Sequence, residues 1–143
     1  MSNFQLDPAV AENLGQRLVR AGVRPTAQRL RIAALLMARP QHLSAEQVLA
    51  GLRNQGMRVS KATIYNTLNL FAASGLIRQL SVGNDRCWFD SNTEPHHHFH
   101  DVETGALTDV ALGDVAIGRL PDAPAGMQVE GVDLVIRVRR RNT

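Results

Sequence analysis

Gly75 divides the chain into two kinds of sequence. Before it, apolar residues recur at the spacing of an α-helix; after it, the period falls toward two, the spacing of a half-buried strand. Residues 9–20 place Val10, Leu14, Leu18 and Val19 on a helical face. Arg24-Pro25-Thr26 interrupts, and Thr26 predicts an N-cap for a run carrying Leu30, Ala33, Ala34 and Met37, which Pro40 closes. Ser44-Ala45-Glu46-Gln47 predicts a capping box, opening a helix that buries Val48, Leu49 and Leu52 before Gly56. Ser60 predicts the cap of a fourth helix with Ile64, Leu68 and Phe71 inward and Gly75 at its stop. Residues 76–82 and 86–91, separated by Gly83-Asn84-Asp85, predict a hairpin. Short helices followed by a two-stranded hairpin are the order of a winged helix-turn-helix.

Charge follows the same division. Residues 1–80 carry ten Lys or Arg against three acids, and the remainder carries six Arg against ten acids, within a net charge of +3. All but one of the basic residues are arginine, which suits bidentate contact with phosphate. A basic first half therefore implies a polyanionic partner. Its fourth helix offers Ser60, Lys61, Thr63, Tyr65, Asn66 and Asn69 on a polar face, the arrangement of a helix presented to the major groove of DNA. No stretch approaches the roughly 18 consecutive apolar residues that would span a bilayer, and the N-terminal residues lack a signal-peptide pattern. Cys87 is the only cysteine, which excludes an internal disulfide and a four-thiolate zinc site within one chain. A cytoplasmic protein without a membrane partner is the expectation. The terminal cluster Arg137, Arg139, Arg140 and Arg141 reads as solvation of a last strand.

The second part predicts strands at 96–102 and 106–110, a short helix within 111–119, a Pro/Gly loop at 121–126, and a final strand in 127–141 carrying Leu134, Ile136 and Val138. So small a region cannot bury a sizeable core alone, and a second copy would cover its sheet edges. A homodimer is expected. Its chemical signal is Pro95-His96-His97-His98-Phe99-His100, with Asp90, Asp101, Glu103 and Asp109 as nearby acids. On a strand His98 and His100 share a side and His97 faces the other. Imidazoles with carboxylates suit Fe(II), Mn(II) or Zn(II).

Taken in order, Arg20-Ala21-Gly22-Val23-Arg24-Pro25-Thr26 with Arg29, His42-Leu43-Ser44-Ala45-Glu46, Ser60 to Leu68 and the histidine cluster resemble the ferric uptake regulator family over roughly residues 15–138. The resemblance implies an α+β chain, with a winged-helix DNA-binding domain at 1–91 and a small α/β dimerisation and sensing domain at 92–143. It implies a sequence-specific transcription regulator, a repressor reading an A/T-rich inverted repeat in double-stranded DNA. Arg24, Arg29, Ser60, Lys61, Thr63, Tyr65 and Asn66 would contact the duplex, with Tyr65 near thymine methyls. Motif by motif, it implies a regulatory divalent metal (iron, manganese or zinc) on His42, Asp90, His98, His100 and Asp109.

The Cys-x-x-Cys that usually follows the histidines is absent, since Asp101-Val102-Glu103-Thr104-Gly105 stands there, so no structural zinc held by four cysteines is expected. These losses most resemble the iron response regulator branch, which implies haem as a further ligand of His96, His97 and His98. A peroxide sensor that oxidises a ligating histidine is the alternative reading. A small zinc hydrolase is the rival from another class, and no His-Glu-x-x-His or activated nucleophile supports it.

Overall fold

A computed structural model describes residues 5–82, 86–93 and 96–142. The expected turn Gly83-Asn84-Asp85 and Pro95, the first residue of the cluster, lie outside the described residues. The chain forms two compact units, Met1–Thr93 and Glu94–Thr143, and divides two residues beyond the boundary expected from sequence.

Local chemistry starts each helix of the first unit. Asp7 caps α1 (Pro8–Arg20) by accepting from the amides of Ala9 at 2.8 Å and Val10 at 3.4 Å. Thr26 caps α2 (Ala27–Met37), accepting from the Arg29 amide at 3.2 Å. At α3 (Ala45–Asn54) the capping box closes both ways: Ser44 Oγ accepts from the Gln47 amide at 3.2 Å, and Gln47 accepts from the Ser44 amide at 3.0 Å. Ser60 caps α4 (Lys61–Ala73) through the Thr63 amide at 3.1 Å. Gly56 and Gly75 follow α3 and α4 at φ 80° and 78°, the left-handed conformation that ends a helix without a Cβ clash. The helices close on Leu18, Ile32, Leu36, Leu52, Ile64, Leu68 and Phe71, each 1% exposed or less. Each such burial is worth about 1.5–3 kcal/mol.

The expected hairpin is present as β2 (Arg78–Val82) and β3 (Arg86–Asp90), but the sheet has a third strand. Strand β1 (His42–Ser44) pairs antiparallel with β3 on the other edge, giving the order β1-β3-β2. Gln41 fixes this edge: its backbone exchanges hydrogen bonds with Ser91 at 3.1 Å each way, and its side-chain amide donates to the Leu35 and Leu36 carbonyls at 2.7 and 3.0 Å. The end of α2 and the end of β3 are thereby tied to the residue before β1.

The second unit is a three-stranded sheet in the order β5-β4-β6, from β4 (His97–Asp101), β5 (Leu107–Val110) and β6 (Val135–Val138). Strand β5 runs antiparallel to β4, and β6 runs parallel to it. Asp101 closes the β4–β5 turn by accepting from the Glu103 amide at 2.9 Å and the Thr104 amide at 3.2 Å, and these bonds hold its carboxyl below the usual range. The helix expected within 111–119 is a single 3₁₀ turn, Leu112–Asp114. Gly113 and Gly118, with β-branched Val115 and Ile117 between them, remove the helical propensity that a longer element needs.

Candidate metal centre and nucleic-acid face

In the first unit the β1–β3 register sets His42 opposite Asp90. Directly opposed residues of an antiparallel pair present their side chains to the same face, and His42 Nε2 lies 3.1 Å from Asp90 Oδ2. The carboxylate is buried, and its Oδ1 accepts from the Asn92 amide at 2.8 Å. That bond fixes the orientation of the second oxygen.

In the second unit the β4–β5 register sets His98 opposite Asp109. Asp109 Oδ1 lies 3.2 Å from His96 Nε2 and 3.7 Å from His98 Nε2. The two imidazoles meet edge to face, with ring centroids 4.5 Å apart. One donor atom from each of these three residues lies within 4.8 Å of the others. Imidazole nitrogen and carboxylate oxygen are the donors that borderline divalent ions take, so both groups fit such an ion chemically.

The structure differs here from the ligand set expected from sequence. His42, Asp90, His98 and Asp109 fall in these groups, whereas His100 does not. His96, expected only as a haem contact, lies in the second group beside His98 and Asp109. The reason is register: His96, His98 and His100 share one face of the strand, but His100 is opposite Leu107, so no acid faces it across the β4–β5 pair. His97 points away, and its Nδ1 accepts from the Leu134 amide at 3.0 Å, which pins the chain entering β6. Only the pairing of strands distant in sequence separates His96 from His100. The i, i+2 spacing was the available signal, and it fits both pairs equally.

Elsewhere in the first unit, Arg24, Lys61 and Asn66 are exposed. Arg29 is partly buried and donates through Nη1 to the Arg24 carbonyl at 2.9 Å. Ser60 and Thr63 are engaged with each other: their hydroxyl oxygens are 2.8 Å apart, in addition to the capping bond. Tyr65 is half-buried, and its phenol donates to Glu46 Oε1 on α3 at 2.6 Å. That hydrogen bond to a carboxylate raises the phenol pKa, so the ring stays neutral. The Lys61 ammonium lies 5.8 Å from the Tyr65 ring centroid. Glu46 was singled out in the sequence only as part of a helix cap. Its role in orienting Tyr65 depends on the packing of α3 on α4.

Comparison with known proteins follows the same lines. The model of the ferric uptake regulator family matches residues 20–136. The peroxide-responsive repressor PerR of Staphylococcus epidermidis is 33% identical over 104 residues, 73% of this chain and 69% of that protein. The PerR of Staphylococcus aureus is 35% identical over 92 residues, 64% of this chain and 62% of that protein, just under two thirds of its length. Among solved structures, the ferric uptake regulator of Pseudomonas aeruginosa with manganese superposes with a TM-score of 0.67 at 25% identity, covering 90% of this chain and 98% of that one.

Proposed function

The chain belongs to the ferric uptake regulator family of metal-responsive DNA-binding regulators, and from that premise we propose how its two units divide the work. The first unit holds an A/T-rich inverted repeat, with α4 in the major groove, Tyr65 against thymine methyls, and Arg24, Arg29 and Lys61 on the backbone. The second unit pairs with a second copy of itself and senses the effector. The chain acts as a repressor in the cytoplasm, and like its family it regulates transcription rather than catalysing a reaction.

The residues that would hold a divalent ion, Fe(II), Mn(II) or Zn(II), are His42 with Asp90 in the first unit and His96, His98 and Asp109 in the second. Metal occupancy would bias the placement of two recognition helices on the duplex. The observation that carries this reading is the repetition of imidazole beside carboxylate in both units, at 3.1 Å in one and 3.2 Å in the other. Haem finds no comparable support: His96, His97 and His98 are 5%, 3% and 2% exposed, and His97 Nδ1 already accepts a backbone amide.

The test is a parallel titration of an inverted-repeat duplex with apo, Mn(II)-, Fe(II)- and haem-loaded protein. Metal loading changes affinity by about 5–150-fold, the usual size of such coupling, and the sign gives the direction of the response. Equal affinity in all arms refutes the reading.

The similarity to two peroxide-responsive repressors favours a second reading of the same centre, in which Fe(II) and peroxide together oxidise a ligating imidazole. Mass spectrometry of Fe(II)-loaded protein after peroxide treatment then finds one added oxygen on His42, His96 or His98. Unmodified peptides, with DNA binding intact, exclude it.

A further inference from the structure

The face proposed for the duplex carries an acid. Of the three carboxylates in residues 1–80, Asp7 caps α1 and Glu12 lies within it. The third, Glu46, is exposed in the first turn of α3 and meets Tyr65 of α4. A carboxylate beside side chains offered to a polyanion opposes its approach. The start of α3 stabilises that charge through the helix macrodipole. The Tyr65 phenol donates to its Oε1 at 2.6 Å, the length of a hydroxyl on an ionised carboxylate. This bond joins residues 19 apart in sequence and so braces α3 against α4.

Three restraints meet on the Tyr65 ring. It packs against the core of the first unit, its hydroxyl is tied to Glu46, and the Lys61 ammonium, one turn earlier on α4, lies 5.8 Å from the ring centroid. A tyrosine turns about two side-chain torsions, so a ring held at its core-facing side and at its oxygen is ordered before a ligand arrives. The phenol has a single proton. Given to Glu46, it is withdrawn from the acceptors that guanine and thymine display in the major groove. Ring carbon is then the reading surface, the match for a thymine C5-methyl. We infer that Glu46 is a positioning residue for specificity, whose bond to the phenol makes Tyr65 a reader of the thymine methyl group. The inference rests on the placement of Tyr65 proposed above and deepens it.

The test uses full-length, Mn(II)-loaded protein and a duplex that it enriches from a random pool. Each thymine of the half-site is replaced in turn by uracil, which removes the methyl group and nothing else. Glu46→Ala removes the acceptor, and Tyr65→Phe removes the donor while keeping the ring. Glu46→Gln removes the charge but keeps a carbonyl oxygen that accepts. The double variant Glu46→Ala with Tyr65→Phe completes the set. Circular dichroism establishes that each variant is folded; Tyr65→Phe breaks the same bond from the other side and keeps the inference testable if Glu46→Ala is not.

In the wild type, uracil at one position per half-site lowers affinity about fourfold, the transfer value of one methyl group. In Glu46→Ala and in Tyr65→Phe that penalty falls below about twofold, and the double variant shows no further loss, because both substitutions cut one bond. Glu46→Gln retains the penalty. A change in charge or in the packing of α3 shifts affinity for every duplex alike and leaves the ratio at one position where it was. A penalty equal in the wild type, Glu46→Ala and Tyr65→Phe overturns the positioning role and leaves the DNA reading standing. A uracil scan that is flat in the wild type overturns the placement of Tyr65 against thymine and the inference with it. Failure to enrich any duplex overturns the DNA reading as well.

Discussion

The two units are held together by different physics. Of the eighteen buried apolar residues among those described, seventeen belong to the first unit, and Val110 alone comes from the second. The second unit instead buries three imidazoles, His96, His97 and His98, and leaves Phe99, Val102, Leu112, Ile117, Leu120 and Met127 exposed. Exclusion of water from aliphatic and aromatic side chains fixes the first unit. The second depends on strand pairing, a turn closed by Asp101, and imidazoles set beside the Asp109 carboxylate. An apolar surface of that kind on so small a sheet is the mark of an element completed by association. The first unit thus has a core of its own, and the second has little apolar burial to hold it.

The largest effect should come from the core of the first unit. Phe71→Ala removes a fully buried ring and costs about 3–5 kcal/mol. The single tryptophan, Trp88 on β3, reports urea unfolding of that unit directly. Val110→Ala costs about 1.5 kcal/mol, by the area it removes from water. If the two substitutions cost the same, the contrast between the units is false.

Metal binding should narrow the difference. Manganese at a hundredfold excess over its dissociation constant adds about 2.7 kcal/mol to whatever it binds, and hydrogen exchange should place new protection in residues 96–138. Calorimetry then distinguishes the two candidate histidines. His96→Ala weakens manganese binding by at least about tenfold, the lower end of what even supporting residues contribute, whereas His100→Ala leaves it unchanged. The reverse result would restore the ligand set expected from sequence.

Smaller still is a helix cap. Ser44→Ala removes one half of a reciprocal capping box and costs about 1 kcal/mol in urea titration. A negligible cost would mean that packing alone starts α3 and that the first unit owes little to local chemistry.

Such caps were legible in the sequence because they are local. Thr26, Ser44 with Gln47, and Ser60 each bond an amide three residues away, so spacing alone identifies them. The winged order of helices and strands was legible for the same reason. Strand β1 was not: three residues are too short to show a period of two, and their partners lie from Trp88 to Asp90. The centre was half-legible. A run of histidines beside acids suggests a metal, but the neighbour of Asp109 is His96, and Asp109 reaches that place only when β5 pairs with β4. Likewise, an acidic partner for Tyr65 required α3 to pack on α4.

That last contact allows the finest test of the division between the two units. Tyr65 is the only tyrosine, so ultraviolet titration reads it without ambiguity. The hydrogen bond to Glu46 favours the protonated phenol and raises its pKa above 10.0. A pKa raised by folding contributes its stabilisation fully below 10.0 and loses it as pH rises through the folded value. The contact is therefore complete at neutral pH, and Glu46→Gln should return the titration toward 10.0 without changing the melting temperature measurably. If metal loading leaves the Tyr65 titration where it was, the reading face is set by the first unit alone, and the effector acts only on the spacing of two such faces. A metal-dependent shift would instead show the signal reaching the recognition helix itself, through the α3–α4 packing that holds Glu46 against the phenol.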